Sequence, residues 1–191
     1  MVKRTVCDGC GRPARACLCS HLICRPTPFD ITIWQDPDEA KHPLSTAPLL
    51  QRSLLGSRLI VGDSFNFQQV FADIPMQQCA LLFPLSTGAP LAWSEAKIHT
   101  KHLLVLDGTW RKVRRLLHLN PWLLSLPYLT LAPQQPSRYD RKSSVIDGVS
   151  TLEAVLLACD ELIAEGNFAE GIRVLDRMAE IQAEQQKQAQ Q

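Results

Sequence analysis

The chain has 191 residues, which is the size of one ordinary domain with a small appendage. Hydrophobic residues make up 46% and charged residues 20%, and a net charge of +1 excludes a uniformly polycationic chain that coats nucleic acid. The first residues lead into cysteines rather than an apolar run, and no stretch approaches the ~18 apolar residues of a membrane span. We therefore expect a cytoplasmic protein that does not contact a membrane.

Residues 1–28 are expected to form a small cysteine-rich segment. Five of the seven cysteines lie within the first 24 residues, and the segment closes at Pro26-Thr27-Pro28. In a chain without an export signal, clustered cysteines favour metal binding over disulfides. Two close pairs supply the four thiolates that a structural Zn²⁺ requires: Cys7, Cys10, Cys17 and Cys19.

Two alternatives remain open for the cysteines. In the first, the clustered thiols bind no metal or are redox-active. In the second, Cys24 is a fifth candidate ligand of the metal site. Cys79 and Cys159 lie in apolar surroundings and are predicted to be ordinary core residues.

Residues 29–183 alternate short apolar runs with helical patterns, which indicates a layered α/β domain. The runs are nearly continuous in hydrophobicity, as expected for parallel strands covered on both faces. Strands are predicted at 31–34, 58–61, 80–83, 102–106 and 128–131. Helices are predicted at 47–55, from the capping box Ser150-Thr151-Leu152-Glu153, and from residue 168. The Gln-rich residues 184–191 are predicted to be a flexible tail.

The main candidate for chemistry is Asp107-Gly108-Thr109-Trp110, which directly follows a predicted strand. α/β folds place reactive groups at the carboxyl ends of parallel strands. Gly108 permits a tight turn, and Thr109 can cap a helix whose first N–H groups favour an anion. The alternative is that Asp107 only caps a turn and Trp110 only packs in the core.

The helix predicted after this turn carries a basic run on one side, while Trp110, Val113 and Leu117 face the core. Its cations are Arg111, Lys112, Arg114 and Arg115. Such a run beside a strand-end carboxylate is typical of an RNA-phosphate surface, although a solvated helix face is the alternative.

Six motifs in order resemble the DTW-domain family of tRNA-uridine aminocarboxypropyltransferases, over nearly the whole chain. They are Cys7-x2-Cys10-x6-Cys17-x-Cys19, Asp38-Glu39-Ala40-x-His42-Pro43-Leu44-Ser45-Thr46-Ala47, Leu82-Phe83-Pro84, Leu106-Asp107-Gly108-Thr109-Trp110, Pro136-Ser137-Arg138-Tyr139-x-Arg141 and Ser150-Thr151-Leu152-Glu153-Ala154. The family commonly has His before the Pro of its His-Pro-x-Glu element, whereas here Asp36 precedes Pro37.

The resemblance implies a SPOUT-like α/β fold with a mostly parallel sheet and a knotted carboxyl-terminal half. It implies S-adenosylmethionine as the donor, methylthioadenosine as the by-product, and N3 of a tRNA uridine, typically in the variable loop, as the acceptor. Asp107 is then the candidate general base, since a partly dehydrated carboxylate holds its proton more tightly. No dimer-specific feature is visible, which favours a monomer.

The resemblance also assigns candidate binding residues. The residues expected to line the donor site are Phe83, Pro84, Gly108, Thr109, Trp110, Ser150, Thr151 and Glu153. The residues expected to hold tRNA are Arg111, Lys112, Arg114, Arg115, Arg138, Tyr139 and Arg141, with Tyr139 free to stack on an extruded base. The alternatives are a purely capping Glu153 and an ordinary polar loop at 138–141.

Two rival functions fit the same sequence. One is methyl transfer to RNA from the same donor, since related folds perform it. The other is a zinc-containing RNA-binding adaptor without catalysis.

Overall fold

The computed structural model describes residues 5–131 and 149–189 of the chain. Its centre is a five-stranded sheet in which every neighbouring pair of strands is parallel. In spatial order the strands are β4 (Arg58–Val61), β2 (Asp30–Gln35), β6 (His102–Asp107), β5 (Cys79–Leu82) and β7 (Tyr128–Leu129). Two further short strands, β1 (Arg25–Pro26) and β3 (Leu54–Leu55), pair in parallel as a separate small sheet.

In the described residues, five helices lie between strands and two follow the last strand. They are α1 (Pro37–Ala40), α2 (Ala47–Ser53), α3 (Phe67–Phe71), α4 (Trp93–His99), α5 (Trp110–Leu119), α6 (Thr151–Leu162) and α7 (Arg173–Ala189). Single 3₁₀ turns lie at Ala14–Ala16, Cys19–His21, Met76–Gln78, Pro121–Ser125 and Phe168–Ile172.

Strand side chains alternate between two hydrophobic clusters, one on each face of the sheet. Ile33 and Val105 belong to a cluster that also includes residues of α2, α4, α6 and α7. Trp34 and Leu104 belong to the other cluster, which is completed by α3 and α5. The prediction of a mostly parallel α/β sheet is confirmed. Strands β2, β5, β6 and β7 are buried on both faces, which explains their continuous apolar runs, whereas the edge strand β4 is exposed at both ends.

The predicted elements are confirmed, with shifts at their ends. Strand β5 ends at Leu82 rather than Phe83, and the Pro84 that follows lacks the N–H needed to continue the ladder. Strand β7 stops at Leu129. The helix predicted over 47–55 ends at Ser53, because Leu54 and Leu55 pair with β1 instead.

The carboxyl-terminal helix differs more from the prediction. Phe168–Ile172 is a 3₁₀ turn rather than the first turn of an α-helix, and the Asp160 carboxylate accepts hydrogen bonds from Phe168 N and Ala169 N at its start. Helix α7 then extends through Ala189, so residue 184, the predicted start of the tail, lies inside a helix. The flexibility of residues 184–191 stays a prediction.

The cysteine-rich segment packs on the same core as the helices. Leu18 is fully buried and belongs to the cluster that includes α6 and α7. Arg25 pairs with Glu170 at 3.0 Å and also donates to Gly166 O. The predicted boundary at residue 28 and the knotted, SPOUT-like half stay predictions. In the part of the chain that the structure describes, no helix is both long and apolar enough to cross a bilayer.

Candidate functional site

Asp107 ends β6, the central strand, at the carboxyl edge of the sheet, and only 3% of its surface is exposed. Gln35 ends the adjacent strand β2 and lies opposite Asp107 in register. The side-chain Nε2 of Gln35 donates to Asp107 Oδ2 at 2.7 Å, and the backbone N–H of Asp36 donates to Asp107 O at 3.0 Å. The side chain and the backbone of Asp107 are therefore both held by β2.

Gln35 has a second partner on its amide. Its Nε2 also donates to Ser45 Oγ at 2.7 Å, and both Gln35 and Ser45 are buried. A carboxylate only accepts, so the amide nitrogen must face Asp107, and its two N–H groups serve the two acceptors. Neither Gln35 nor Ser45 is among the site residues predicted from the sequence. The available signal was the polar residue that directly follows the predicted strand at 31–34.

Asp36 occupies the position where the sequence departs from the family pattern, and it is fully buried. Its Oδ1 accepts from the backbone N–H groups of Asp38 and Glu39 at the start of α1, and its Oδ2 accepts from Arg115 Nη2 at 2.8 Å. Burial opposes its ionisation, but the Arg115 guanidinium and the two N–H groups outweigh this and lower the pKa of the Asp36 carboxyl.

Two of the predicted RNA-contacting cations on α5 are engaged in ion pairs. Besides Asp36, Arg115 contacts Asp63, which follows β4, at 2.6 Å. Lys112 Nζ pairs with the buried Glu39 at 3.2 Å. By contrast Arg111 and Arg114 are exposed, and neither has an acidic partner within residues 5–131 and 149–189. Arg138, Tyr139 and Arg141 lie outside the described residues.

The turn after Asp107 has the predicted geometry. Thr109 Oγ1 accepts from Lys112 N at 3.4 Å and caps α5, which confirms the predicted cap. A Cβ on Gly108 would lie 3.2 Å from Lys112 Cβ and 3.4 Å from Asp36 Cβ, so the turn has little space for a larger residue. Trp110 is half-buried rather than a full core residue, and its ring lies 5.4 Å from that of Phe83.

The other predicted donor-site residues have these positions. Pro84 is exposed beside Phe83, and Ser150 and Glu153 form a reciprocal capping box at the start of α6. Ser150 N donates to Glu153 Oε2 at 2.8 Å, and Glu153 N donates to Ser150 Oγ at 3.2 Å. The capping role is therefore present, and a donor-binding role for Ser150, Thr151 and Glu153 stays a prediction.

The four cysteines predicted as metal ligands converge. The Sγ atoms of Cys7, Cys10, Cys17 and Cys19 all lie within 4.8 Å of one another. Individual Sγ–Sγ distances are 3.4 Å for Cys7–Cys17, 3.7 Å for Cys7–Cys19 and 3.9 Å for Cys10–Cys17. A tetrahedral zinc with Zn–S bonds of about 2.3 Å requires edges of about 3.8 Å, so the set fits such an ion.

The surroundings of the cysteine cluster favour a bound cation. A Cβ on Gly9 would lie 2.6 Å from Cys19 Sγ, so any larger residue would displace this thiol from the cluster. The backbone at Cys10, followed by the Cys17 thiol, lowers the pKa of Cys7 to about 6. Desolvation, followed by the neighbouring Cys7, raises the pKa of Cys19 to about 12. Because adjacent thiolates repel, a bound divalent ion would allow all four to ionise together.

Cys24 lies outside the cluster, and its Sγ contacts Arg52 O at 3.9 Å. Cys79 and Cys159 are buried, as predicted, and burial raises the pKa of Cys79 to about 11.

Comparison with known proteins gives matches over most of the chain. Residues 4–185 match the family model described as the DTW domain. The chain is 30% identical over 160 residues to tRNA-uridine aminocarboxypropyltransferase 2 of Drosophila melanogaster, which covers 79% of this chain and 64% of that protein. It is 31% identical over 133 residues to tRNA-uridine aminocarboxypropyltransferase A of Arabidopsis thaliana, which covers 60% of this chain and 50% of that protein.

A mouse protein, tRNA-uridine aminocarboxypropyltransferase 2 of Mus musculus, is 26% identical over 135 residues, covering 65% of this chain and 45% of the relative. The chain therefore spans about half to two thirds of the length of these curated relatives. A search of solved structures finds no significant match.

Proposed function

The chain belongs to the DTW domain family, and on that premise we propose that it transfers the 3-amino-3-carboxypropyl group of S-adenosylmethionine to N3 of a tRNA uridine. The expected acceptor lies in the variable loop, and the by-product is methylthioadenosine. The observation that best supports this reaction is the buried Asp107 carboxylate, held by Gln35 at the carboxyl end of the central strand. The names of the relatives support the same substrate class.

Asp107 acts as the general base in this proposal. Uridine N3 carries a weakly acidic proton, which must leave before the nitrogen attacks the γ-carbon of the methionine moiety. The Asp107 carboxylate takes that proton. The new N–C bond forms as the γ-carbon–sulfur bond breaks, and the electron pair of that bond goes to sulfur, which neutralises the sulfonium.

Residues around the turn supply the donor site. The first N–H groups of α5, which Thr109 caps, favour the carboxylate of the methionine moiety. The adjacent rings of Phe83 and Trp110 offer an apolar wall at the same edge of the sheet. Gly108 and Pro84 flank these residues, and Ser150, Thr151 and Glu153 complete the proposed site.

The tRNA surface is proposed to be the outer face of α5. Arg111 and Arg114 extend into solvent and are available to phosphates. Lys112 and Arg115, which also pair with the acidic residues Glu39 and Asp36, remain proposed RNA contacts. Arg138, Tyr139 and Arg141, which lie between the two described ranges, remain proposed RNA contacts.

The metal is proposed to be a structural Zn²⁺ held by Cys7, Cys10, Cys17 and Cys19. Four thiolates leave no open coordination position, so the ion would order the segment rather than react with substrate. A SPOUT-like knotted half, a cytoplasmic location and a monomeric state complete the proposal.

The test is mass spectrometry of tRNA nucleosides from a strain in which the gene is deleted. We expect loss of 3-(3-amino-3-carboxypropyl)uridine, restoration by the wild-type chain, and no restoration by Asp107→Asn. Asp73→Asn, at an exposed carboxylate after α3, is the matched control and should restore the product. Unchanged product in the deletion strain would refute the proposed reaction. A missing methylated nucleoside would favour methyl transfer, and restoration by Asp107→Asn would favour the adaptor.

A further inference from the structure

A continuous series of contacts joins the cysteine cluster to Asp107. Arg12 lies two residues after Cys10, and its carbonyl accepts from Cys7 N at 2.8 Å, so its backbone belongs to the loop that closes the cluster. The Arg12 guanidinium donates to Ser45 O at 3.3 Å. From Ser45 the series continues through Gln35 Nε2, at 2.7 Å from Ser45 Oγ, to Asp107 Oδ2, at 2.7 Å from the same nitrogen.

The inner part of this series is shielded from water. Gln35 is 2% exposed, Asp107 is 3% exposed and Ser45 is 8% exposed. Hydrogen bonds in such surroundings meet little competition from solvent and define side-chain orientation well. Both N–H groups of the Gln35 amide are used, one for each acceptor, so the amide cannot rotate without losing a buried bond.

The position of Ser45 depends on contacts from outside its own loop. Ser45 lies in the short connection between α1 and α2, where its N–H donates to His42 O at 3.0 Å. Arg12 holds its carbonyl from the cysteine segment and also contacts Met178 Sδ of α7 at 3.8 Å. Through Arg12 the cysteine segment therefore holds the same residue that anchors Gln35.

We propose that Gln35, Ser45 and Arg12 are positioning residues, through which the cysteine segment holds the Asp107 carboxylate in its reactive orientation. The proposal rests on the role of Asp107 as general base in the proposed function. The cysteine cluster would then have a second role besides folding its own segment, because it would fix the position of Arg12 and, through it, the orientation of the Asp107 carboxylate.

The proposal predicts an effect on proton transfer that a merely structural role would not produce. The Gln35 N–H stabilises the charged form of Asp107, so its removal makes the carboxylate bind its proton more tightly. Among the described residues, the charged groups near this edge include Asp36 and Glu39 of α1, Asp63 after β4, and Lys112 and Arg115 of α5. These groups are unchanged in Gln35 variants, so a shift in the pH profile reports on the Gln35–Asp107 bond.

The first experiment measures kcat and KM against pH for the full chain with a tRNA transcript and S-adenosylmethionine. Gln35→Met, which keeps the side-chain length but cannot donate, should lower kcat roughly 10- to 100-fold with little change in KM. The acidic limb of its kcat profile should move to higher pH. Ser45→Ala leaves Gln35 in place, so it should give a smaller loss of kcat and should also move the acidic limb to higher pH. This variant provides the test if Gln35→Met does not fold.

The second experiment uses two arginines that make matched contacts between the cysteine segment and the rest of the chain. Arg12 Nη2 donates to Ser45 O at 3.3 Å, and Arg52 Nη2 donates to Asp8 O at 3.3 Å, but only Arg12 belongs to the series. Arg12→Ala should lower kcat severalfold, and Arg12→Lys should recover part of it, whereas Arg52→Ala should leave kcat unchanged. Metal content and melting temperature are measured on each protein, and we expect both alanine variants to retain the metal.

Asp107→Asn separates failure of this inference from failure of the proposed function. If Asp107→Asn retains activity, Asp107 is not the base and the proposed mechanism fails. If Asp107→Asn is inactive but Gln35→Met and Ser45→Ala keep the wild-type acidic limb, the positioning role is wrong while the base is not. Equal kcat losses in Arg12→Ala and Arg52→Ala would overturn the contribution of the cysteine segment.

Discussion

Asp36 and Arg115 form an ion pair at 2.8 Å that joins the end of β2 to α5, although the two residues are 79 positions apart in the chain. The Asp36 side chain is fully buried, while 46% of the Arg115 side chain is exposed. The residue that replaces the usual histidine of the family pattern thus has a charged partner of its own. Together with the Lys112–Glu39 pair, the Asp36–Arg115 pair distinguishes the cations of α5 that are held in ion pairs from those that face solvent.

Loss of the Arg115 side chain should destabilise the protein. Arg115→Met leaves the buried Asp36 without its charged partner, which we expect to cost about 1–3 kcal/mol of unfolding free energy. Arg114→Met, one residue away on the exposed side of α5, should change it by less than about 0.5 kcal/mol. Urea unfolding of both variants measures the difference. Equal effects would show that the ion pair adds no stability.

The exposed cations should control tRNA binding. Arg111→Met and Arg114→Met should each weaken tRNA affinity and reduce the slope of log K against log salt by roughly 0.7–0.9 for each lost phosphate contact. Their melting temperatures should match that of the wild type. Arg173→Met, at an exposed position at the start of α7, is the charge-matched control. A change in salt slope as large for Arg173→Met as for the α5 variants would argue against a local RNA surface.

His102 should make the folded protein less stable as the pH decreases below about 6.5. Burial lowers its pKa to about 4 despite the nearby Asp30, and its Nε2 lies 2.8 Å from Thr32 Oγ1. Above about pH 6.5 the imidazole is neutral in both states and has no effect. Between pH 6.5 and 4 the unfolded chain binds the proton and the folded chain does not. As the pH falls through this range, the free energy of unfolding therefore decreases by up to about 1.4 kcal/mol per pH unit.

Urea unfolding at pH 7.5, 5.5 and 4.5 tests this titration. His102→Gln should lack this part of the pH dependence, so its stability should fall less than that of the wild type as the pH decreases. His99→Gln, at an exposed position on α4, should retain the wild-type slope. The same slope in His102→Gln and the wild type would contradict a buried neutral imidazole.

Metal removal should weaken packing beyond the cysteine segment. Because Leu18 is fully buried in the cluster that includes α6 and α7, chelation or Cys17→Ser should lower the melting temperature of the whole chain. Cys24→Ser should keep both the metal and the melting temperature, since Cys24 lies outside the cluster. Elemental analysis and calorimetry measure the two quantities. Loss of metal from Cys24→Ser would place that thiol among the ligands after all.

Much of the architecture was determined by the sequence alone, because its signals are local. Apolar runs such as 102–106 identify strands covered on both faces, and Ser150 with Glu153 identifies the start of α6. The spacing of Cys7, Cys10, Cys17 and Cys19 similarly identifies the four thiols that converge. The acidic turn at Asp107 was also predictable, since it directly follows a strand.

Only the tertiary structure decided which side chains surround that turn. Gln35 and Asp107 are 72 positions apart, and they meet because β2 and β6 are neighbours in register, which no local pattern encodes. The same applies to the basic run, in which Lys112 and Arg115 look like Arg111 and Arg114 in the sequence. Within the described residues, acidic partners from α1, its cap and the segment after β4 reach only Lys112 and Arg115. Strand order, set by packing of the whole sheet, is the physical reason for both results.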